Sequence, residues 1–254
     1  MVTEETIQKL YQLKLNEIAA GLRELAHTCP DGKLSTEEAI GLLVDREWQH
    51  RENKRTQRRL KDAKLPTQAC LEDVESDPAR GLDKAMVRSF GSGNWIVAKH
   101  NVIIEGATGV GKSYLGTALA QAACRMGYRA LSVRVPRLLH QLGISKADGT
   151  YASNLEKLAK IDVLLLDDFL LAPMEQVECR DVLEILEDRY AKHSTIITSQ
   201  LPPKTWHSAM KDPTIADAIC DRLLHNASII SLRGESIRKR RGLKTETGQK
   251  GTTT

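Results

Sequence analysis

The sequence lacks several features that would place it in a membrane or an oxidising compartment. No apolar stretch approaches the ~20 residues that a membrane-spanning helix requires. The opening residues, Met-Val-Thr-Glu-Glu, do not resemble a secretory signal peptide. The five cysteines are scattered, without a CxxC pair or a histidine at metal-ligand spacing. We therefore expect a cytoplasmic protein with reduced thiols and no membrane partner.

An excess of charge of one sign is also missing. The chain has 37 Lys and Arg against 33 Asp and Glu, which leaves a net charge of only +4. The total says little about partners, so any such argument rests on where the charges lie. At 254 residues the chain is long enough for one large α/β core and a smaller appended domain.

A glycine-rich turn carries the most specific chemical signal. Residues 106–113 read Gly-Ala-Thr-Gly-Val-Gly-Lys-Ser and fit the P-loop pattern GxxxxGK[ST]. Its glycines let backbone N–H groups curl around a phosphate, and the helix that follows adds its positive end. Lys112 is expected to reach the β- and γ-phosphates, and Ser113 to ligate Mg²⁺. A chance glycine turn is the plain alternative, but an apolar strand before it and helical spacing of Leu115 and Leu119 after it favour a phosphate site.

A buried strand that ends in two carboxylates is the second informative stretch. Residues 161–168 read Ile-Asp-Val-Leu-Leu-Leu-Asp-Asp, which suits a central parallel strand. Acidic residues at its carboxyl end face the crevice where ligands bind in such sheets. This matches the Walker B pattern, with Asp167 holding Mg²⁺ and Asp168 polarising the attacking water. An ordinary acidic turn is the alternative, and the position downstream of a P-loop favours the nucleotide site.

The predicted cofactors are therefore ATP and Mg²⁺, with Ser113 and Asp167 at the metal. Ser199 and Gln200 end a later apolar strand and could touch the γ-phosphate, although a polar strand end is a weak signal. For Arg222, spacing alone favours a surface ion pair with Asp221 or Asp217. The predicted nucleotide contacts are Gly106, Ala107, Thr108, Gly109, Val110, Gly111, Lys112, Ser113 and Tyr114.

Residues 1–64 are predicted to be entirely helical. Apolar residues recur at three- and four-residue steps from Ile7 to Leu25, and Asn16 is expected to divide this run into two helices. After a turn at 29–32, Ser35 and Glu38 form a capping box for a long third helix. Its apolar side is expected to carry Ile40, Leu42, Leu43 and Trp48.

The second half of that third helix is strongly basic. Between residues 51 and 64, seven Lys or Arg stand against two acids, and several share one helical face. A solvated face is the plain explanation. We favour contact with nucleic-acid phosphates, because the charge lies on a separate helical module ahead of a nucleotide site. The candidate DNA contacts are Arg51, Lys54, Arg55, Arg58, Arg59 and Lys61.

The rest of the chain alternates strands and helices, which predicts a parallel sheet with helices on both faces. We expect a helical domain at 1–64, an acidic, turn-rich linker at 65–80 and a nucleotide-binding α/β domain at 81–241. Residues 242–254, rich in Gly, Thr and Lys, are expected to form a disordered basic tail.

Over nearly its whole length, the sequence resembles AAA+ ATPases of the IstB type, which are transposition helpers of insertion sequences related to DnaC helicase loaders. The resemblance implies a three-layer α/β/α P-loop core with a parallel sheet, preceded by a small all-helical domain. The phosphate-site motifs are general to the superfamily, whereas the later motifs are narrower. The resemblance is carried by residues 106–113 and 164–168, Ile-Ile-Thr-Ser-Gln-Leu-Pro at 196–202, Asp-Arg-Leu at 221–223 and Gly-Glu-Ser-Ile-Arg at 234–238.

The resemblance also implies roles for individual residues. Ser199 and Gln200 occupy the sensor 1 position, where many relatives have Asn. Arg222 matches an arginine finger given to a neighbouring subunit, and Arg238 falls at the sensor 2 position. Asp168 replaces the more usual Glu, and its shorter side chain suggests slow basal hydrolysis.

The function implied is ATP-dependent assembly of many copies on duplex DNA, which is deformed and presented to the cognate transposase. The nearest alternative is a helicase loader that binds single-stranded DNA. A small-molecule kinase and a nucleotide-gated scaffold that never hydrolyses ATP are further alternatives. A kinase should act as a monomer without Arg222 and ignore DNA.

Overall fold

The computed structural model describes residues 4–28 and 35–236. The chain divides into two compact units, Met1–Arg58 and Arg59–Thr254. The predictions made for the turn at 29–32, for Arg238 and for the tail at 242–254 lie outside the described residues. Within the described ranges no helix is long and apolar enough to cross a membrane.

The first unit is helical, as predicted. It contains α1 (Glu4–Gln12), α2 (Asn16–Thr28) and the start of α3 (Thr36–Asp62). The predicted break is confirmed, since α2 begins at Asn16 and Lys14 before it has a left-handed φ of 59°. The capping box is confirmed too, because the Ser35 N–H donates to Glu38 Oε2 at 2.8 Å and the Glu38 N–H donates to Ser35 Oγ at 3.2 Å.

The predicted apolar side of α3 is wrong in most positions. Only Leu43 is buried, whereas Ile40, Leu42 and Trp48 are exposed by 56%, 55% and 64%. The helix turns a narrow stripe inward, and this stripe includes the carboxylate of Glu47. Burial alone would raise the pKa of Glu47, but hydrogen bonds from Arg51 and from backbone N–H groups at the start of α2 hold it below its ordinary value. Counting apolar residues therefore identified the wrong face.

The second unit alternates strands and helices along the chain. Its elements are α4 (Lys84–Gly91), α5 (Asn94–Val97), β1 (Asn101–Gly106), α6 (Lys112–Arg125), β2 (Ala130–Arg134), α7 (Val135–Ala147), α8 (Tyr151–Ala159), β3 (Val163–Phe169), α9 (Gln176–Arg189), β4 (Ser194–Ser199), α10 (Pro213–Leu224) and β5 (Ala227–Leu232).

The strands form a five-stranded parallel sheet in the order β2-β3-β4-β1-β5. Side chains alternate between its faces, so Ile104 and Leu165 join one apolar core with α6 while Ile103 and Leu164 join the other with α7 to α10. This is the predicted three-layer α/β/α architecture.

Residues 65–80, for which the sequence suggests a linker, pack against α6. Ala69 and Leu71 are buried, and the Ala69 N–H donates to Gln121 Oε1 at 3.1 Å. An ion pair of 2.8 Å joins Glu72 to Arg125. The few apolar side chains of this acidic stretch pack into the core of the second unit, to which the stretch belongs.

Candidate nucleotide site

The P-loop connects β1 to α6 in a conformation that needs glycine. Gly106, Gly109 and Gly111 all have positive φ, at 146°, 86° and 103°. A Cβ at Gly106 would lie 2.3 Å from the carbonyl oxygen of Leu232, so no side chain fits there. The Lys112 side chain folds back over the loop and donates to the Ala107 carbonyl at 2.9 Å. The loop thus has the open backbone that can surround a phosphate.

The first carboxylate of the Walker B pattern lies beside the P-loop serine. Asp167 Oδ1 accepts a hydrogen bond from the Ser113 hydroxyl at 2.8 Å and a second from Thr198 Oγ1 at 2.5 Å. Thr198 Oγ1 also accepts from the Asp168 N–H at 3.1 Å. A carboxylate and a hydroxyl at this separation are oxygen ligands of the kind that suits Mg²⁺. The donor set therefore fits the metal that the motif implies.

The second carboxylate of the pattern is held by an arginine from the neighbouring strand. Asp168 Oδ2 accepts from Arg134 Nε at 2.9 Å and from Arg134 Nη2 at 2.7 Å. These hydrogen bonds, together with the charge of Asp168, raise the pKa of Arg134. Asp168 has a left-handed φ of 58°, at the place where the pairing of β3 with β4 shifts in register between Leu166 and Phe169. Sequence reasoning missed Arg134, although its place at the end of a strand was a usable signal.

A cleft of about 780 Å³ surrounds these groups. Besides the P-loop and these carboxylates, its lining includes the apolar side chains of Pro66, Val74, Leu82, Leu232 and Tyr114 and the polar side chains of Thr67, Asp73, Glu75 and Arg80. An apolar wall of this kind suits the flat face of a nucleotide base. Sequence reasoning did not identify this wall, because the side chains come from segments without a motif.

Arg80, from the segment before the α/β core, connects the apolar side of the cleft to the P-loop. Arg80 Nη2 donates to the Val110 carbonyl at 2.8 Å, and the Arg233 N–H donates to the Arg80 carbonyl at 3.0 Å. The segment before the α/β core is thereby joined to the loop and to the residue after β5.

The two predicted sensor residues point in different directions. Gln200 Oε1 accepts from the Thr108 hydroxyl at 2.9 Å, so Gln200 meets the P-loop. Ser199 is fully buried, and its hydroxyl donates to the Phe169 carbonyl at 2.9 Å. Thr198, which no motif singled out, is the β4 residue that contacts Asp167. Strand alternation was the available signal, because residues 198 and 200 share a face.

Arg222 lies at the opposite edge of the sheet from the P-loop. It lies in the last turn of α10, shortly before β5, whereas the P-loop follows the carboxyl end of β1. The six residues of β1 span ~20 Å at ~3.3 Å per residue, so the structure does not bring Arg222 to its own P-loop. Its guanidinium pairs with Asp221 at 2.6 Å and Glu187 at 3.0 Å, and lies 4.8 Å from the centre of the Tyr190 ring. The hydrogen bond that Arg222 donates to Glu187 is the main reason why the pKa of Arg222 is raised. The simple ion pair with Asp221 is present, while Asp217 pairs with His207.

The candidate DNA contacts are mostly exposed. Arg51 and Arg55 pair with acids of their own helix, Glu47 and Glu52 respectively. Arg59 differs from the others, because it is only half-exposed and extends towards Gly127 on the α/β unit. The exposed members of the set are Arg51, Lys54, Arg55, Arg58 and Lys61.

Comparisons with known proteins identify the family of the chain. The family described as IstB-like ATP binding protein matches residues 8–245. A putative insertion sequence ATP-binding protein of Sinorhizobium fredii is 45% identical over 239 residues, which cover 94% of this chain and 98% of the relative. The putative ATP-binding protein of insertion sequence IS1162 from Pseudomonas fluorescens is 44% identical over 214 residues, with 84% and 93% covered.

Solved structures support the fold independently. The crystal structure titled DnaI matches with a TM-score of 0.57 at 24% identity, and the match covers 65% of this chain and 92% of that one. At this identity the likeness shows the fold alone, which is the α/β core described above. The chain therefore belongs to the IstB-like ATP-binding protein family of insertion sequences.

Proposed function

We propose that this protein is an ATP-dependent helper of transposition. It assembles on duplex target DNA, remodels the DNA and delivers it to the partner transposase, while ATP hydrolysis regulates the complex. The observation that carries the proposal is the split of the site over two edges of the sheet. Asp167, Ser113 and Lys112 gather at one edge, whereas Arg222 lies a strand's length away at the other. One chain thus provides only part of the catalytic site, and a neighbouring subunit provides the arginine that completes it.

Within one subunit, the P-loop surrounds the phosphates and Lys112 neutralises their charge. Ser113 and Asp167 hold Mg²⁺, which when bound stabilises negative charge on the phosphate oxygens. Asp168 orients the attacking water, and Gln200 lies near the γ-phosphate through its contact with the P-loop. Ser199 supports the end of β4. Arg238, which matches the sensor 2 position by resemblance, is assigned to nucleotide binding.

Arg222 acts on the nucleotide of the neighbouring subunit. Positive charge brought to the transferring phosphoryl group stabilises the charge that develops in the transition state. An arginine suits this role because its planar, permanently charged guanidinium can bind two oxygens at once. Hydrolysis therefore requires oligomerisation, because a monomer cannot supply an arginine finger to its own nucleotide site.

DNA binding belongs to the helical domain at 1–64, ahead of the segment at 65–80 and the ATPase domain at 81–241. The exposed basic face of α3 contacts phosphates rather than base edges. Binding of this kind depends little on sequence and weakens steeply with salt, which suits a helper that accepts many target sites. The two lysines of the tail at 242–254 add positive charge to this binding.

Electron microscopy of the protein with duplex DNA and ATP tests the proposal. We expect ordered assemblies with the wild type and none with Lys112→Ala. Replacing exposed Lys54 and Arg58 by Ala should weaken duplex binding and flatten its dependence on salt by about one unit of slope per lost phosphate contact. Assembly that ignores nucleotide would overturn the proposal. A preference for single strands with stable capture of a replicative helicase would instead favour the helicase loader, and Asp168→Ala with unchanged turnover would favour a scaffold.

A further inference from the structure

Asn101, the first residue of β1, has an unusual set of hydrogen bonds. Its side-chain Nδ2 donates to the carbonyl oxygens of Arg222 at 3.1 Å and Leu223 at 3.2 Å. Its Oδ1 accepts from the Thr195 N–H at 3.0 Å, and its own N–H donates to the Asn226 carbonyl at 2.8 Å. One half-buried side chain thus contacts β4 and the end of α10 at once.

The two carbonyls that Asn101 binds belong to the last turn of α10. Carbonyl groups at a helix end have no partner within the helix and need one from elsewhere. Asn101 supplies that partner at Arg222 itself. Its backbone N–H also donates to the Asn226 carbonyl, in the turn that leads into β5. The backbone of Arg222 is therefore fixed from β1, while Glu187, Asp221 and Tyr190 hold only its side chain.

The same strand carries the P-loop at its other end. β1 begins at Asn101 and ends at Gly106, and it is paired with β4 and β5 along its length. A buried parallel strand between two partners is stiff, because its ladder hydrogen bonds and its packing all oppose bending. A subunit's nucleotide loop and the end of α10 are thus attached to one rigid element.

We propose that Asn101 is a positioning residue, which fixes the backbone of the arginine that each subunit gives to its neighbour. The inference rests on the proposed role of Arg222 in trans. It goes further by assigning the placement of that arginine to a side chain at the start of the P-loop strand. Asn101 itself touches no nucleotide.

Two substitutions separate this role from a general role in packing. Asn101→Asp keeps an oxygen for the Thr195 N–H but turns a carboxylate towards two carbonyls, so it loses the contact with α10 alone. Asn101→Ala loses both contacts. If Asn101 positions Arg222, both variants lower turnover, by about 100-fold for a misplaced catalytic group. If the contact with β4 is what matters, Asn101→Asp keeps the wild-type rate.

Mixed assemblies on duplex DNA test the proposal in trans. Asn101→Ala subunits have an intact nucleotide site and a misplaced finger, whereas Asp168→Ala subunits have a disabled site and an intact finger. Each variant alone has little turnover. We expect the equal mixture to recover about a quarter of the wild-type turnover, because half of the subunits have an intact nucleotide site and half of their neighbours supply an intact finger. A mixture of Asn101→Ala with Arg222→Ala should recover nothing, because both lack a working finger.

A parallel mixture of Arg222→Ala with Asp168→Ala separates the role of Asn101 from the role of Arg222 in trans. Recovery there, without recovery for Asn101→Ala, overturns the role of Asn101 and leaves the proposed function standing. Failure of both mixtures overturns the finger in trans itself. Nucleotide binding and thermal unfolding of each variant, measured in parallel, show whether the α/β unit is intact.

Discussion

The two edges of the parallel sheet are built in different ways. At the carboxyl edge, the P-loop, Asp167 and Thr198 converge within hydrogen-bond distance, and each group comes from a strand end or the loop that follows it. At the amino edge, Arg222, Asn101 and Arg189 are held by contacts with carbonyl groups and side chains from four different elements. The first edge is an open cleft, and the second is a closely packed polar surface.

The difference fits the roles that we propose for the two edges. A cleft for a nucleotide needs exposed donors and an oxygen-lined metal site, whereas a group offered to another subunit needs a fixed position at the surface. Rigid placement requires polar partners beneath the surface, such as the carbonyl groups that Asn101 and Arg189 bind. Single substitutions can disturb one edge and leave the other intact.

The largest effect is expected from Arg222→Ala. Loss of an arginine finger should lower turnover of the DNA-bound assembly by about 1,000-fold, while ATP binding by each subunit stays near the wild-type level. Steady-state turnover and nucleotide titration measure the two quantities. Arg222→Lys should not restore the rate, because an ammonium group lacks the planar fork. Arg88→Ala, an exposed arginine of α4, is the control, and equal losses in both variants would contradict the role of Arg222.

Arg189→Met tests the rigidity of the amino edge. The buried guanidinium donates to the carbonyls of Leu158, Ile161 and Ser194, and burial lowers its pKa to about 9. Methionine keeps the length but leaves these acceptors without partners, so the free energy of unfolding should fall by about 3 kcal/mol. Denaturant unfolding measures it. Arg129→Met, at an exposed ion pair nearby, should cost less than ~1 kcal/mol, and similar losses would show that Arg189 adds nothing special.

Thr198→Val and Ser199→Ala compare two neighbours at the carboxyl edge. Thr198 bonds both to Asp167 and to the Asp168 N–H, so its replacement should lower turnover about tenfold, the equivalent of one or two hydrogen bonds. Ser199 bonds to the Phe169 carbonyl, and its loss should change turnover by less than ~3-fold. Turnover measured over a range of Mg²⁺ concentrations distinguishes them. A larger loss of turnover in Ser199→Ala than in Thr198→Val would instead identify Ser199 as the residue that senses the phosphate.

The smallest effect concerns pH and the amino edge. Burial, reinforced by the charge of Arg189 and opposed by Asp162, lowers the pKa of His193 below its ordinary 6.5. The unfolded chain then binds a proton before the folded one as the pH falls, so the stability that the neutral ring contributes is lost below about 6.5. Unfolding of His193→Gln should depend less on pH in that range. His140→Gln, at an exposed histidine of α7, should behave like the wild type.

The sequence predicted the carboxyl edge well, because its groups occupy fixed spacings along the chain. The motif at 106–113 and the strand at 161–168 place their residues with no knowledge of the rest of the fold. The contacts of Arg134 with Asp168 and of Asn101 with α10 join residues 34 and more than 120 positions apart. No local pattern marks such pairs, and they emerge only from the strand order.

The helical unit shows a second limit of sequence patterns. Trp48 and Ile40 are large apolar residues that remain exposed, while the acidic Glu47 is buried and paired. Periodicity predicted the helices of this unit correctly, and the capping box at Ser35 and Glu38 is confirmed. It did not say which face turns inward, because that depends on the short helices packed beside it.

The central claim is that a working site needs both edges, each from a different subunit. The most direct test mixes Arg222→Ala with Asp168→Ala on duplex DNA and measures ATP turnover against either variant alone. The two edges of different subunits then meet at some interfaces, and we predict recovery of about a quarter of the wild-type rate for random neighbours. Turnover of the mixture no greater than the average of the two inactive variants would contradict the account.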